Sequence, residues 1–148
     1  SGLADYLRYV VDREEGMEPL RRQLHALESY VALQELRFGD ALQYRQDVEV
    51  SALSHLVPRF LLQLLIENAF KHGSMQGDSA LEVAVRCGYE GDCLLLQVSN
   101  SGSWKSESHD GYGLDFIRRQ LKLRYGVDAR LTVFSENVRV SVSLSLPR

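Results

Sequence analysis

Cysteine is scarce in this chain of 148 residues: there are two, Cys87 and Cys93. Two thiols do not make a cysteine-rich zinc site. They flank a predicted turn, which makes a cross-strand disulfide conceivable, but reduced thiols are the better reading. Long apolar runs are missing too. Nothing approaches the roughly 18 residues of a membrane-spanning helix. The most apolar stretch, Phe60 to Ile66, is short and holds Gln63. No signal peptide is visible, and there is no internal repeat or low-complexity segment. No block of lysine and arginine stands out, and 17 cations against 20 acids leave a net charge of −3. The basic footprint of a nucleic-acid or anionic-membrane binder is therefore lacking. The opening Ser1-Gly2 reads as a remnant of expression, so the chain reads as a piece of a longer protein.

What is present is ordinary for one globular domain: 45% hydrophobic and 25% charged residues, at a length that buries one core. Leu3, Tyr6, Leu7, Val10 and Val11 recur at helical spacing, and Gly16 ends that helix. Pro19 suits the first turn of a second helix, whose stripe of Leu20, Leu24, Leu27 and Val31 runs toward Phe38 and stops at Gly39. Leu42, Tyr44, Val48 and Val50 suggest a strand. Pro58 is expected to open a third helix that runs to His72, with Gly73 as its stop. Leu81, Val83 and Val85, then Leu94, Leu96 and Val98, alternate as a hairpin turned at Gly88 to Asp92. Helix returns from Leu114 to Tyr125. Two strands close the chain, the last alternating Val138, Val140, Val142, Leu144 and Leu146 with Arg139, Ser141, Ser143 and Ser145. The expected fold is α+β: a two-layer α/β sandwich in which helices cover one face of a mixed, mostly antiparallel sheet.

Two places carry candidate chemistry. The third helix turns abruptly polar at Glu67, Asn68, Lys71 and His72, and Asn68, Lys71 and His72 share a face at i, i+3 and i+4. An amide oxygen there can complete a Mg²⁺ shell whose other ligands are phosphate oxygens and water. A neighbouring lysine supplies a charge for those phosphates. The alternative is a solvated helix end whose cations suit the dipole. The second place is the glycine-bearing loop from Asn100 to Gly113. It enters a helix through Gly111-Tyr112-Gly113, where phosphate can approach backbone N–H groups. Its alternative is a surface loop with a glycine entry turn.

In combination these blocks resemble the catalytic domains of LytS-type bacterial sensor histidine kinases, in the wider ATP-binding group of gyrase, Hsp90 and MutL. The resemblance rests on Leu27-Glu-Ser-Tyr-Val-Ala-Leu-Gln-Glu-Leu-Arg-Phe-Gly39, Val57-Pro58, Glu67-Asn-Ala-Phe-Lys-His-Gly73, Gly111-Tyr-Gly-Leu114 and Leu121-Lys-Leu-Arg-Tyr-Gly126. It covers nearly the whole chain. It implies a Bergerat-type sandwich over residues 17–148, with 1–16 as the end of a linking or dimerisation helix. Asn68 is then the Mg²⁺-binding asparagine, with Lys71 and His72 as its phosphate-side neighbours. Glu67, Asn68 and Lys71 become the candidate catalytic residues. Asn100 stands where the adenine reader lies, and Gly102 is the glycine that adenine approaches. Ser103 to Asp110 corresponds to the lid, and Gly111, Tyr112, Gly113 and Leu114 form the phosphate-facing helix start. For Trp104 and Tyr112, packing is the better explanation.

The resemblance further implies ATP and Mg²⁺ as ligands. Its implied partners are a histidine-containing dimerisation segment and a response regulator, in a membrane-anchored homodimeric parent with this domain in the cytoplasm. Three departures stand out. Asn100 replaces an aspartate, and a neutral acceptor is weaker than a charged one. Leu64 stands four residues before Asn68, where ATPases of the wider group keep a glutamate base, and leucine activates no water. No Pro-His-Phe phosphoacceptor segment is present, so the target histidine is expected outside this chain. The rival reading is a degenerate nucleotide-binding module that signals by contacts alone.

Overall fold

The computed structural model describes residues 16–73, 80–102 and 112–148. Among them the chain runs β1 (Met17–Pro19), α1 (Leu20–Phe38), β2 (Leu42–Val48), β3 (Leu56–Pro58), α2 (Leu61–His72), β4 (Leu81–Glu90), β5 (Cys93–Ser101), α3 (Tyr112–Tyr125), β6 (Arg130–Glu136) and β7 (Arg139–Pro147). The predicted first helix and most of the linking segment 1–16 lie outside the described residues.

Five strands form one sheet in the order β2-β4-β5-β7-β6. Only β2 and β4 are parallel; the other pairs are antiparallel. Two neighbouring parallel strands need a crossover, and α2 supplies it. The alternation read from the sequence sets the faces. Leu81, Val83, Val85, Leu94, Leu96, Val98, Val142, Leu144 and Leu146 turn toward the helices and are buried. They meet Leu20, Leu24 and Leu27 of α1, Leu61, Leu62, Leu65 and Ile66 of α2, and Leu114, Ile117 and Leu121 of α3 in one core. Each such side chain contributes about 1.5–3 kcal/mol by leaving water. The other sheet face is polar; there Gln97 donates to Ser143 at 2.9 Å. The expected two-layer sandwich is the observed one.

Several boundaries differ from expectation. Pro58 does not open α2. It closes β3, which pairs antiparallel with β1 in a two-stranded ribbon, and α2 begins three residues later at Leu61. Phe60 precedes the helix with φ 63°, a left-handed conformation that turns the chain from ribbon into helix and is uncommon for a bulky residue. Pro19 likewise caps α1 rather than entering it. The first donors of α1 are met by backbone instead: Leu20 N–H donates to His55 O at 2.9 Å and Arg21 N–H to Leu53 O at 3.0 Å. Val50 sits in a 3-10 turn and Val138 in the β6–β7 turn, not in strands. Gly88 lies within β4, so the hairpin turns only at Gly91-Asp92. A Cβ on Gly88 would stand 3.3 Å from Glu49 Cβ, so the glycine admits the chain after β2 rather than bending the strand. Cys87 pairs in register with Leu96, and Cys93 with Glu90. The two thiols are free and are not cross-strand neighbours.

Candidate functional site

The site helix is anchored at its start by a residue far away in sequence. Gln23 of α1 is only 4% exposed. Its Nε2 donates to Pro58 O, and its Oε1 accepts from Leu62 N–H at 2.9 Å. A helix start leaves four N–H groups without partners. Phe60 offers no side-chain cap, so the Gln23 amide takes that role from the neighbouring helix. Nothing local in the sequence announces this.

At the other end of α2, Glu67, Asn68 and His72 are half-buried and Lys71 is exposed. Glu67 Oε1 accepts from Gln63 Nε2 at 3.1 Å. Its carboxylate also lies close enough to Tyr30 of α1 to add to the burial that raises that phenol above its ordinary value. Leu64, four residues before Asn68, packs against the core. The helix then stops at Gly73, whose N–H donates to Ala69 O at 2.8 Å. Gly73 was expected only as a stop signal, and the structure gives it a second task. A Cβ there would meet Ala69 O at 2.6 Å, Leu81 Cδ1 at 2.8 Å and Asn100 Cβ at 3.5 Å. The bare glycine brings the Asn68-bearing turn against the start of β4 and the end of β5.

The end of β5 is buried and polar. Ser99, Asn100 and Ser101 are all nearly inaccessible, Asn100 at 3%. Asn100 Nδ2 donates to Ser101 O at 2.9 Å, which orients the amide and leaves Oδ1 as its acceptor end. Gly102 follows with φ 128°, a conformation that favours glycine. Its N–H donates to Val138 O at 2.7 Å. Asn68, Lys71, His72, Asn100 and Gly102 thus gather at one end of the sheet.

The third helix points to the same end. Arg118, Leu121, Lys122 and Gly126 border a cavity with Ala129, Arg130 and Leu131, so α3 finishes beside the start of β6, at the far end of the sheet. Its N-terminal turn is therefore directed toward Asn100 and Gly102. Leu114 is buried in the core. Tyr112 and Gly113 begin the helix, while Gly111 and Ser103 to Asp110 lie outside the described residues. The carboxyl end of α2, with Asn68, and the amino end of α3, with Gly113, thus both lie toward the end of the sheet where β5 finishes. The first pole suits a cation and the second an anion. Among the described residues, no group of three or more histidine, cysteine or carboxylate side chains could hold a metal by itself. A cation here would take one amide ligand and rely on another molecule for the rest.

The histidine kinase family model matches residues 1–42. The sensor protein LytS of Staphylococcus saprophyticus is 29% identical over 142 residues, covering 86% of this chain and 24% of that protein. The sensor protein kinase HptS of Staphylococcus aureus is 27% identical over 161 residues, covering 98% of this chain and 31% of HptS. The chain therefore spans about a quarter to a third of these relatives. Among solved structures, the nucleotide-free catalytic domain of histidine kinase ThkA superposes with a TM-score of 0.67 at 12% identity, over 88% of this chain and 93% of that one. ThkA in complex with its response regulator TrrA gives 0.65 at 13% identity, over 99% of this chain and 48% of that one. At those identities the solved structures speak for the fold alone. The chain is thus similar in sequence to the sensor kinases LytS and HptS over most of its length, and its fold is that of histidine kinase catalytic domains.

Proposed function

We propose that this domain binds ATP with Mg²⁺ at the shared end of α2, β5 and α3, and transfers the γ-phosphoryl group to a histidine supplied from outside the chain. The observation that carries the reading is the meeting of Asn68's helix end with Asn100 and Gly102, enforced by Gly73. In this assignment the Asn68 oxygen holds the metal, which when bound neutralises charge on the phosphates being separated. Lys71 and His72 face the phosphates. Asn100 accepts from the adenine amino group, and Gly102 gives the base room against the backbone. Gly111, Tyr112, Gly113 and Leu114 offer the amino end of α3 to the phosphates. A histidine nitrogen attacks the γ-phosphorus in line, the bond to the bridging oxygen breaks, and ADP leaves.

Leu64 supports transfer to a side chain over hydrolysis, because it places a hydrocarbon where a water-activating carboxylate would be needed. Glu67 is the carboxylate of this helix end, and its place beside Asn68 assigns it to orienting the site. The histidine-bearing dimerisation segment and a response regulator are the proposed partners, the latter because the similar kinase ThkA was crystallised with TrrA. Among the described residues no helix is long and apolar enough to cross a membrane. We assign the domain to the cytoplasmic side of a membrane-anchored, homodimeric parent.

Thermal melts with ATP, with and without Mg²⁺, test the reading. Ligand at about 100 times its dissociation constant adds roughly 2.7 kcal/mol, or roughly 5–15 °C for a domain of this size. Asn68→Ala is expected to melt like the parent without nucleotide and to lose the Mg²⁺-dependent shift. An undiminished shift in Asn68→Ala would refute the metal assignment. No shift in the parent at millimolar Mg-ATP would instead favour a degenerate module, with Asn100 as the residue to revert.

A further inference from the structure

Successive residues of a strand face opposite sides, so the polypeptide that presents Asn100 to the helices presents Ser101 to the open face of the sheet. There a straight row crosses four strands: Glu136 of β6, Arg139 of β7, Ser101 of β5 and Glu82 of β4. Arg139 has a carboxylate directly opposite it in Glu136, yet it reaches the other way. Its Nη2 lies 3.1 Å from Glu82 Oε2, and the Glu82 N–H donates to Ser101 Oγ at 3.0 Å. Glu136 has no ion-pair partner among the described residues. Two residues before it on the same face stands Phe134, 58% exposed. These groups line a cavity of about 380 Å³ together with Asn137 and Val138 of the β6–β7 turn.

The charge balance of this cavity selects its occupant. Among the described residues that line it, one carboxylate is paired with Arg139 and the second, Glu136, is not, so they give the cavity a net negative charge beside an exposed aromatic face. A carboxylate and a ring together recognise an organic cation, by a charge-assisted hydrogen bond and by attraction to the ring's negative face. The volume lies in the lower range of small-molecule sites. We propose that this cavity is a second binding site, for an amidinium, guanidinium or ammonium group on a flat or apolar stem, held by Glu136 over Phe134. Val138 lines the cavity, and its carbonyl accepts the Gly102 N–H at 2.7 Å. Occupancy at the turn is therefore transmitted to Gly102. This second part rests on reading Asn100 and Gly102 as the adenine end of the nucleotide site.

The test is an amide NMR titration of the domain with benzamidine, with neutral benzamide as its shape-matched control. Expected are saturable shifts at residues 134–139 with benzamidine alone, and a loss of affinity of about tenfold in Glu136→Gln. Phe134→Ala is the second variant and is expected to weaken the same titration. Equal shifts with benzamide, shifts elsewhere, or full affinity in both variants would overturn the site. Acetyl-Gly-Arg-Gly-amide identifies the source: tighter binding than benzamidine means an arginine of a partner protein, and weaker binding means a free small molecule. Mg-ATP affinity measured with benzamidine saturating is expected to change at least twofold, and an unchanged affinity would overturn the coupling. If Mg-ATP does not bind at all, the nucleotide reading and the coupling fail together, while the NMR titration still decides the cation site.

Discussion

Gly73 lies against Asn100 so closely that the side-chain carbon it lacks would stand 3.5 Å from the asparagine's Cβ. Helix α2 and strand β5 share no neighbouring sequence, and this contact brings them together.

Gly73→Ala is therefore expected to be costly although the backbone angles of Gly73, φ −68° and ψ 151°, suit any residue. The added methyl would meet Ala69 O at 2.6 Å and Leu81 Cδ1 at 2.8 Å. The helix end must move, at a cost of about 1–3 kcal/mol. Urea unfolding reads the stability and an ATP titration reads the site. A variant with unchanged values for both would mean that α2 and β5 need not be so close.

Gln23→Leu keeps a side chain of similar size on α1 but leaves Leu62 N–H and Pro58 O without partners. Buried unpaired groups cost about 1–3 kcal/mol. Amide exchange at residues 61–64 is expected to rise more than in β5 or β7. Uniform exchange across the domain would contradict the capping role.

Asn100→Asp is expected to move stability and affinity in opposite directions. A carboxylate has no N–H for Ser101 O, so a nearly buried oxygen would face an oxygen, at about 1–3 kcal/mol. The same charge is a stronger acceptor for an adenine amino group, with affinity gained by about tenfold. Calorimetric ATP titration beside urea unfolding tests both halves. A gain in stability would show that the amide's bond contributes nothing.

Burial pushes the Cys87 thiol from 9.0 up to about 12. Burial, with Cys87 beside it, also raises the Tyr44 phenol from 10.0 to about 12. Both groups stay protonated in the fold after they would ionise in the unfolded chain. Above pH 9 the unfolded state therefore binds fewer protons, and stability falls as pH rises toward 12. For the thiol alone the slope is at most about 1.4 kcal/mol per pH unit. Urea midpoints from pH 8 to 11 are expected to drop beyond pH 9, less steeply in Cys87→Ala. Cys93, partly exposed at the hairpin, is expected to react with a thiol reagent while Cys87 waits for unfolding.

Much of this was legible beforehand because the signals are local. The stripe of Leu20, Leu24, Leu27 and Val31 marks a helix face, and the alternation from Val140 to Leu146 marks a strand with one buried side. The polar turn from Glu67 to His72 and the Asn100–Gly102 strand end stand out against apolar neighbours. What escaped depends on contacts between distant residues. Pro58 looks like a helix start until β1 pairs with β3. Gly88 looks like a turn until Glu49 is packed against it. Gln23 looks like one polar residue among several on α1, and only the fold shows its amide at the start of α2. The open-face row of Glu136, Arg139, Ser101 and Glu82 likewise exists only once four strands are in register.

The reach of Gln23 also sets where this unit begins. A shorter piece starting at Gly39 would keep the sheet, α2, α3 and every residue assigned to the nucleotide. It would still lack the amide that closes the first turn of the helix bearing Asn68. On the proposed nucleotide reading, the smallest competent segment is therefore expected to begin before residue 23, with α1 as a support of the Asn68-bearing helix rather than a detachable connector.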